Sequence, residues 1–137
     1  MSDFRPELSS KSPYYISRHR FYELKHFCLQ YPEWKKQLIL LDSPPTSSYL
    51  TRLQRSIDVK RPTERIAILK TALNGNLRAV EEAAKATDEA LWPYILKAVT
   101  EGCGFTYLKT TMDMPCERDM YYDRYRKFFW ILDKYRT

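Results

Sequence analysis

The sequence predicts an all-α protein, and three observations predict it. Only 3 of its 137 residues are glycine. Apolar side chains recur at three- and four-residue steps in segment after segment, which is the period of a helix face. Most of the 8 prolines sit between those segments, where they bound helices without breaking them. The predicted layout is an N-terminal helical region over 1–60, a long central helix over 61–87, and a three-helix helix-turn-helix over 88–137.

The elements follow in chain order. Residues 1–13 read as a polar arm. From Arg18 to Gln30, the side chains Phe21, Leu24, Phe27 and Cys28 share one helix face. Tyr31-Pro32 interrupts, because the residue before a proline is pushed away from helical angles. Pro32 then starts a second helix, Glu33 to Leu41, burying Trp34, Leu38 and Leu41. The stretch Asp42-Ser43-Pro44-Pro45-Thr46-Ser47-Ser48 reads as a loop. Leu50, Leu53 and Ile57 suggest a short helix after it.

The central helix opens with Thr63 as cap and runs to about Ala86. Ile66, Leu69, Leu73, Leu77, Val80 and Ala84 are spaced almost as a heptad. That pattern suits a core helix or a dimerisation helix. Asn74-Gly75-Asn76 weakens the helix by roughly 1 kcal/mol relative to alanine, so a break there is allowed.

The last third starts at Asp88, a capping residue followed by Glu89 in the first turn. The first helix of the predicted motif spans Glu89 to Glu101, with Leu91, Ile95, Leu96 and Val99 inward, and Gly102 ends it. The second spans Phe105 to Met112, with Tyr107 or Leu108 and Met112 packing inward. Asp113-Met114-Pro115 is the turn. The third starts near Cys116, in the place of a cap, with Asp119 as the partner of a capping box, and runs to about Lys134. Tyr121, Tyr125, Phe128 and Leu132 form its inward face, widened by Phe129. Arg118, Asp119, Tyr122, Asp123, Arg126 and Lys127 lie opposite.

In a helix-turn-helix, the N-terminal half of the third helix enters the major groove. This places Arg118, Asp119 and Tyr122 at base edges and Arg126 or Lys127 near phosphates. Lys109 on the second helix joins the candidate set. The net charge of +6 and a pI near 9.2 suit an anionic partner, nucleic acid foremost. The charge is uneven. Residues 1–61 carry 11 Lys/Arg against 6 Asp/Glu, and residues 103–137 carry 7 against 5. A strong phosphate grip therefore needs the N-terminal part as well. The competing reading is a packed three-helix bundle with solvated arginines, a non-catalytic interaction protein. Asp119 and Asp123 favour that reading by opposing phosphate contact.

Segments 94–102, 107–109 and 115–130, led by Pro115-Cys116-Glu117-Arg118-Asp119, carry a resemblance, as does segment 20–34. Together they resemble small phage- and prophage-encoded proteins of Firmicutes. In layout, residues 88–134 are similar to the RinA/ArpU-type phage transcriptional regulators, which have a sigma-factor-like C-terminal helix-turn-helix. The resemblance implies a transcriptional regulator that binds double-stranded DNA, with Arg118, Asp119, Tyr122 and Arg126 as the reading face. Gly104 departs from the pattern, standing where such modules carry Ser or Thr as a cap. The competing class is a phage structural component or an RNA polymerase adaptor. RNA polymerase and a second copy of the chain are further expected partners.

Other chemistries lack support. Cys28, Cys103 and Cys116 are odd in number and without CxxC spacing, which argues against a disulfide framework and a zinc site. His19 and His26 have no third ligand at metal spacing. No nucleophile–base grouping or phosphate loop is present, so no catalysis, cofactor or metal is expected. The tyrosines and phenylalanines of 121–130 could stack single-stranded bases only if exposed. Residues 1–6 have no apolar signal core and no run reaches membrane-spanning length. The expected location is the cytoplasm.

Overall fold

The computed structural model describes residues 12–42 and 62–136. The predicted helix at 49–59 and most of the predicted arm and proline-rich loop lie outside them. The described chain is all-α and contains no strand. Its helices are α1 (Arg18–Leu29), α2 (Tyr31–Asp42), α3 (Pro62–Thr87), α4 (Trp92–Glu101), α5 (Phe105–Thr111) and α6 (Arg118–Tyr135). None of these is long and apolar enough to cross a membrane.

The chain divides into two compact units. One joins residues 12–30 to 79–136, and the other comprises the described part of 31–78. These boundaries differ from the division into 1–60, 61–87 and 88–137 expected from sequence. The reason is packing: α1 lies against α4 and α6, and α4 lies against α5 and α6. A helix expected in a separate N-terminal region is therefore part of the C-terminal core.

In that unit, the apolar stripe of α1 is buried as its spacing predicts: Phe21, Leu24, Phe27 and Cys28. Ser17 caps the helix through Oγ, which accepts from the Arg20 amide at 3.4 Å. Phe21 packs edge-on against Phe129 of α6, with ring centroids 4.9 Å apart. Arg20 then ties α1 to the end of α6. Its Nε donates to Asp133 Oδ1 at 2.5 Å, and its terminal amine donates to the Arg136 carbonyl at 3.2 Å. That carbonyl belongs to the C-terminal end of α6, where helix carbonyls lack intrahelical partners. Arg136 stacks its guanidinium over Phe27 at 3.6 Å.

Helix α3 runs unbroken through Asn74-Gly75-Asn76. A methyl group added at Gly75 would meet nothing within 4 Å, so its missing side chain serves no close contact. The helix ends in Val80, Ala83 and Ala84, all fully buried. Thr87 closes it, and its buried hydroxyl donates to the Ala83 carbonyl at 2.7 Å.

Asp88 caps the next turn. Its Oδ1 accepts from the amides of Ala90 and Leu91, each at 2.8 Å. Helix α4 starts three residues later than the predicted Glu89, with Leu91 buried in the turn before it. Gly102 ends α4 at φ 72°, and its amide donates to the Ala98 carbonyl at 2.9 Å. Only glycine adopts this left-handed backbone without a Cβ penalty. Gly102→Ala should therefore lower stability by about 1 kcal/mol, read as a lower thermal midpoint. An unchanged midpoint would show that the cap tolerates the strain.

In the other unit, α2 buries Tyr31, Trp34 and Leu41, while Leu38 is only half-buried. Lys35 sits over the Tyr31 ring at 4.9 Å, and Lys70 of α3 pairs with Asp42 at 2.6 Å. Leu73 and Leu77 of α3 are buried, and Ile39 and Ile68 are exposed.

Candidate nucleic-acid interface

The candidate face is built on the starts of α5 and α6. Gly104 leads into α5 with extended backbone and no side-chain cap, so Phe105 becomes the first helical residue. Helix α5 ends at Thr111 with Met112 as its C-cap, and Asp113 follows in the left-handed region at φ 53°. Aspartate tolerates that conformation better than most residues. The reversal lets the Met114 amide donate to the Leu108 carbonyl at 3.1 Å. Met114 and Cys116 are then buried, the Cys116 amide donates to the Met114 carbonyl at 3.0 Å, and Glu117 is extended.

This shifts the start of α6 from the expected Cys116 to Arg118, with Glu117 in the cap position and no side-chain cap. The expected Cys116–Asp119 capping box does not form. Burial pushes the Cys116 thiol above its ordinary range, so it packs as a small apolar group. Burial does the same, more strongly, to Cys28. The three cysteines form no disulfide.

Arg118 is exposed at the first residue of α6. Its guanidinium lies 5.2 Å from the Phe105 ring centroid and 5.9 Å from that of Tyr122. Those rings rest on Tyr121, at 5.6 Å from Phe105 and 5.0 Å from Tyr122. Among the described residues, no carboxylate pairs with Arg118. Asp119 is exposed, while Tyr122, Arg126 and Lys127 are half-buried. The sequence thus places Arg118 and Asp119 on the accessible side of α6, and Tyr122 partly within the aromatic cluster.

Lys109 has a different place from the one expected. Its ammonium donates to the Cys116 carbonyl at 3.0 Å and the Met114 carbonyl at 3.4 Å, and reaches Glu117 Oε1 at 3.3 Å. It fastens the α5–α6 turn, whose carbonyls lie outside the helical hydrogen-bond ladders.

Arg124 is the residue that sequence reasoning missed. Its Nε donates to Asp88 Oδ2 at 2.8 Å, and its Nη1 donates to Asp123. Asp88 thereby caps the turn into α4 with one oxygen and holds α6 with the other. Burial disfavours the Asp88 charge, but the hydrogen bonds from Arg124, Leu91 and Ala90 outweigh it and hold the carboxyl below its ordinary value. Asp123, which opposes phosphate binding by its charge, is paired with Arg124. The signal for half of this clamp is in the sequence, since Asp88 reads as a cap. Nothing local identifies the partner of its second oxygen.

The buried side of α6 follows its spacing. Tyr121, Phe128, Phe129 and Leu132 are buried, and Tyr125 is half-buried. That removes most of these rings from any role as an exposed stacking platform.

No known protein family matches this chain, and no curated protein or solved structure matches it either.

Proposed function

We propose that this chain binds double-stranded DNA through the first two turns of α6, as a transcriptional regulator of phage or prophage type. The observation that carries the reading is Arg118: exposed, at a helix start, and held by two aromatic faces instead of a carboxylate. A guanidinium stacked this way keeps its in-plane donors directed outward, the arrangement that reads guanine O6 and N7 together. Asp119 beside it can accept from a cytosine amine. Tyr122, Arg126 and Lys127 border the groove and position the backbone. The overall charge of +6 supports association with a polyanion.

The reading carries no catalytic step and no cofactor. Two copies joined through α3 would present two reading heads to adjacent half-sites. A solution mass equal to one chain at micromolar concentration would remove that part. With a duplex selected from random sequence, Arg118→Ala should weaken binding to the selected site by about 1–3 kcal/mol, and binding to unrelated duplex much less. Equal affinity of variant and parent for the selected site would remove Arg118 from base reading.

One observation favours a second reading, a helical adaptor that contacts a protein such as RNA polymerase. Ile39 and Ile68 expose 67% and 57% of their surface. Exposed apolar side chains suit a protein partner better than DNA where they join into one patch.

A further inference from the structure

A cavity of about 110 Å³ lies inside the unit that carries the candidate face. Helix α1 lines it with Tyr22 and Lys25, the α4–α5 turn with Cys103, α5 with Phe105, and α6 with Tyr121 and Tyr122. It is comparable with an apolar cavity of roughly 150 Å³ that takes up one benzene ring. No acidic side chain lines it.

Tyr121 supplies one of the polar groups of the lining. The residue is only 2% exposed and lines the void. Its hydroxyl is not a sealed, unpartnered core atom among the described residues, which leaves it open to a ligand's acceptor. Burial raises its pKa above the ordinary tyrosine value, so it remains a protonated donor. Lys25 also lines the space and brings a positive charge, its ammonium 5.9 Å from the Tyr22 ring centroid. A ring-sized space with aromatic walls, a hydroxyl donor and a lysine cation together describe one ligand chemistry.

We propose that this cavity binds a monocyclic aromatic carboxylate, with the ring packed between the tyrosines, an acceptor at its inner end on the Tyr121 hydroxyl, and the carboxylate toward Lys25. Occupancy also has a consequence for Arg118. Phe105 and Tyr122 are walls of the cavity and, at the same time, the two rings on which Arg118 stacks. A ligand that moves either ring moves the guanidinium. This regulatory half rests on the DNA reading above; the binding half does not.

The test uses 4-hydroxybenzoate and the full chain. Titration calorimetry without DNA should show saturable binding with Kd below about 1 mM. Tyr121→Phe keeps the ring and removes the donor, and Lys25→Gln removes the charge. Each should weaken binding by about tenfold, with the thermal midpoint close to that of the parent. No binding of the probe, or equal binding to parent and both variants, overturns the site. Duplex affinity that is the same with and without saturating probe overturns the regulatory half. If probe binding is saturable and weakened in both variants while no duplex binds at any salt, the site stands and the DNA reading falls.

Discussion

A fragment of residues 88–137 alone should show no cooperative thermal transition, although it contains the whole predicted helix-turn-helix. Helix α1 supplies the other side of its core. Phe21 is 2% exposed, and its ring meets Phe129 at 4.9 Å and Tyr125 at 6.4 Å. Leu24 and Cys28 are fully buried. Removing α1 would expose this apolar surface of α4 and α6 and release the Arg20 bonds to Asp133 and Arg136. In the intact chain the same dependence is tested by Phe21→Ala. Truncating a buried phenylalanine costs about 3–5 kcal/mol, against a total stability of roughly 5–15 kcal/mol for an ordinary domain. Urea denaturation should show a large fall in the midpoint. A fragment that melts cooperatively, or a Phe21→Ala variant with the parent's midpoint, would contradict the role given to α1.

Asp88→Ala should cost about 2–3 kcal/mol, because it removes a cap and takes from the part-buried Arg124 the carboxylate that its Nε holds, leaving it only Asp123. The effect has a pH signature. The folded Asp88 carboxyl is held below its ordinary value of 3.8. The unfolded chain therefore takes up this proton at a higher pH than the folded chain does. The stabilisation is complete well above 3.8, starts to fall as the pH approaches it, and is lost as the pH drops through the lower folded value. Asp88→Asn keeps the size of the side chain and removes the titration. Stability of parent and variant, measured from neutral pH down to about pH 2, should differ most at neutral pH and converge in acid. A difference that does not change over that range would show that the Asp88 charge contributes nothing to folding.

The parts of the fold legible in the sequence are those with local causes. Gly102 ends α4 and Asp88 caps the turn before it, because a left-handed glycine and a capping carboxylate act within a few residues. The buried faces of α1 and α6 follow from helical spacing alone. The start of α6 was not legible, since burial of Met114 and Cys116 and the reach of Lys109 across the turn decide it. The docking of α1 was not legible either. Arg20 and Asp133 are 113 residues apart, and Asp88 and Arg124 are 36 apart. No periodicity encodes such pairings. Within the candidate site, Arg118 and Asp119 were legible as an exposed pair at a helix start. The aromatic support of Arg118 was not, because Phe105 belongs to another helix.

Contact between α6 and duplex DNA is the interaction proposed for this chain. The most direct measurement is fluorescence anisotropy of a labelled random-sequence duplex titrated with the full chain, at about 50 and 200 mM salt. Binding at low salt should weaken by at least about tenfold at the higher salt, as two or more phosphate contacts require. Arg126→Ala and Lys127→Ala should each make that salt dependence shallower. No binding at the lower salt, or binding that is the same at both, would contradict the proposed contact and favour the adaptor reading.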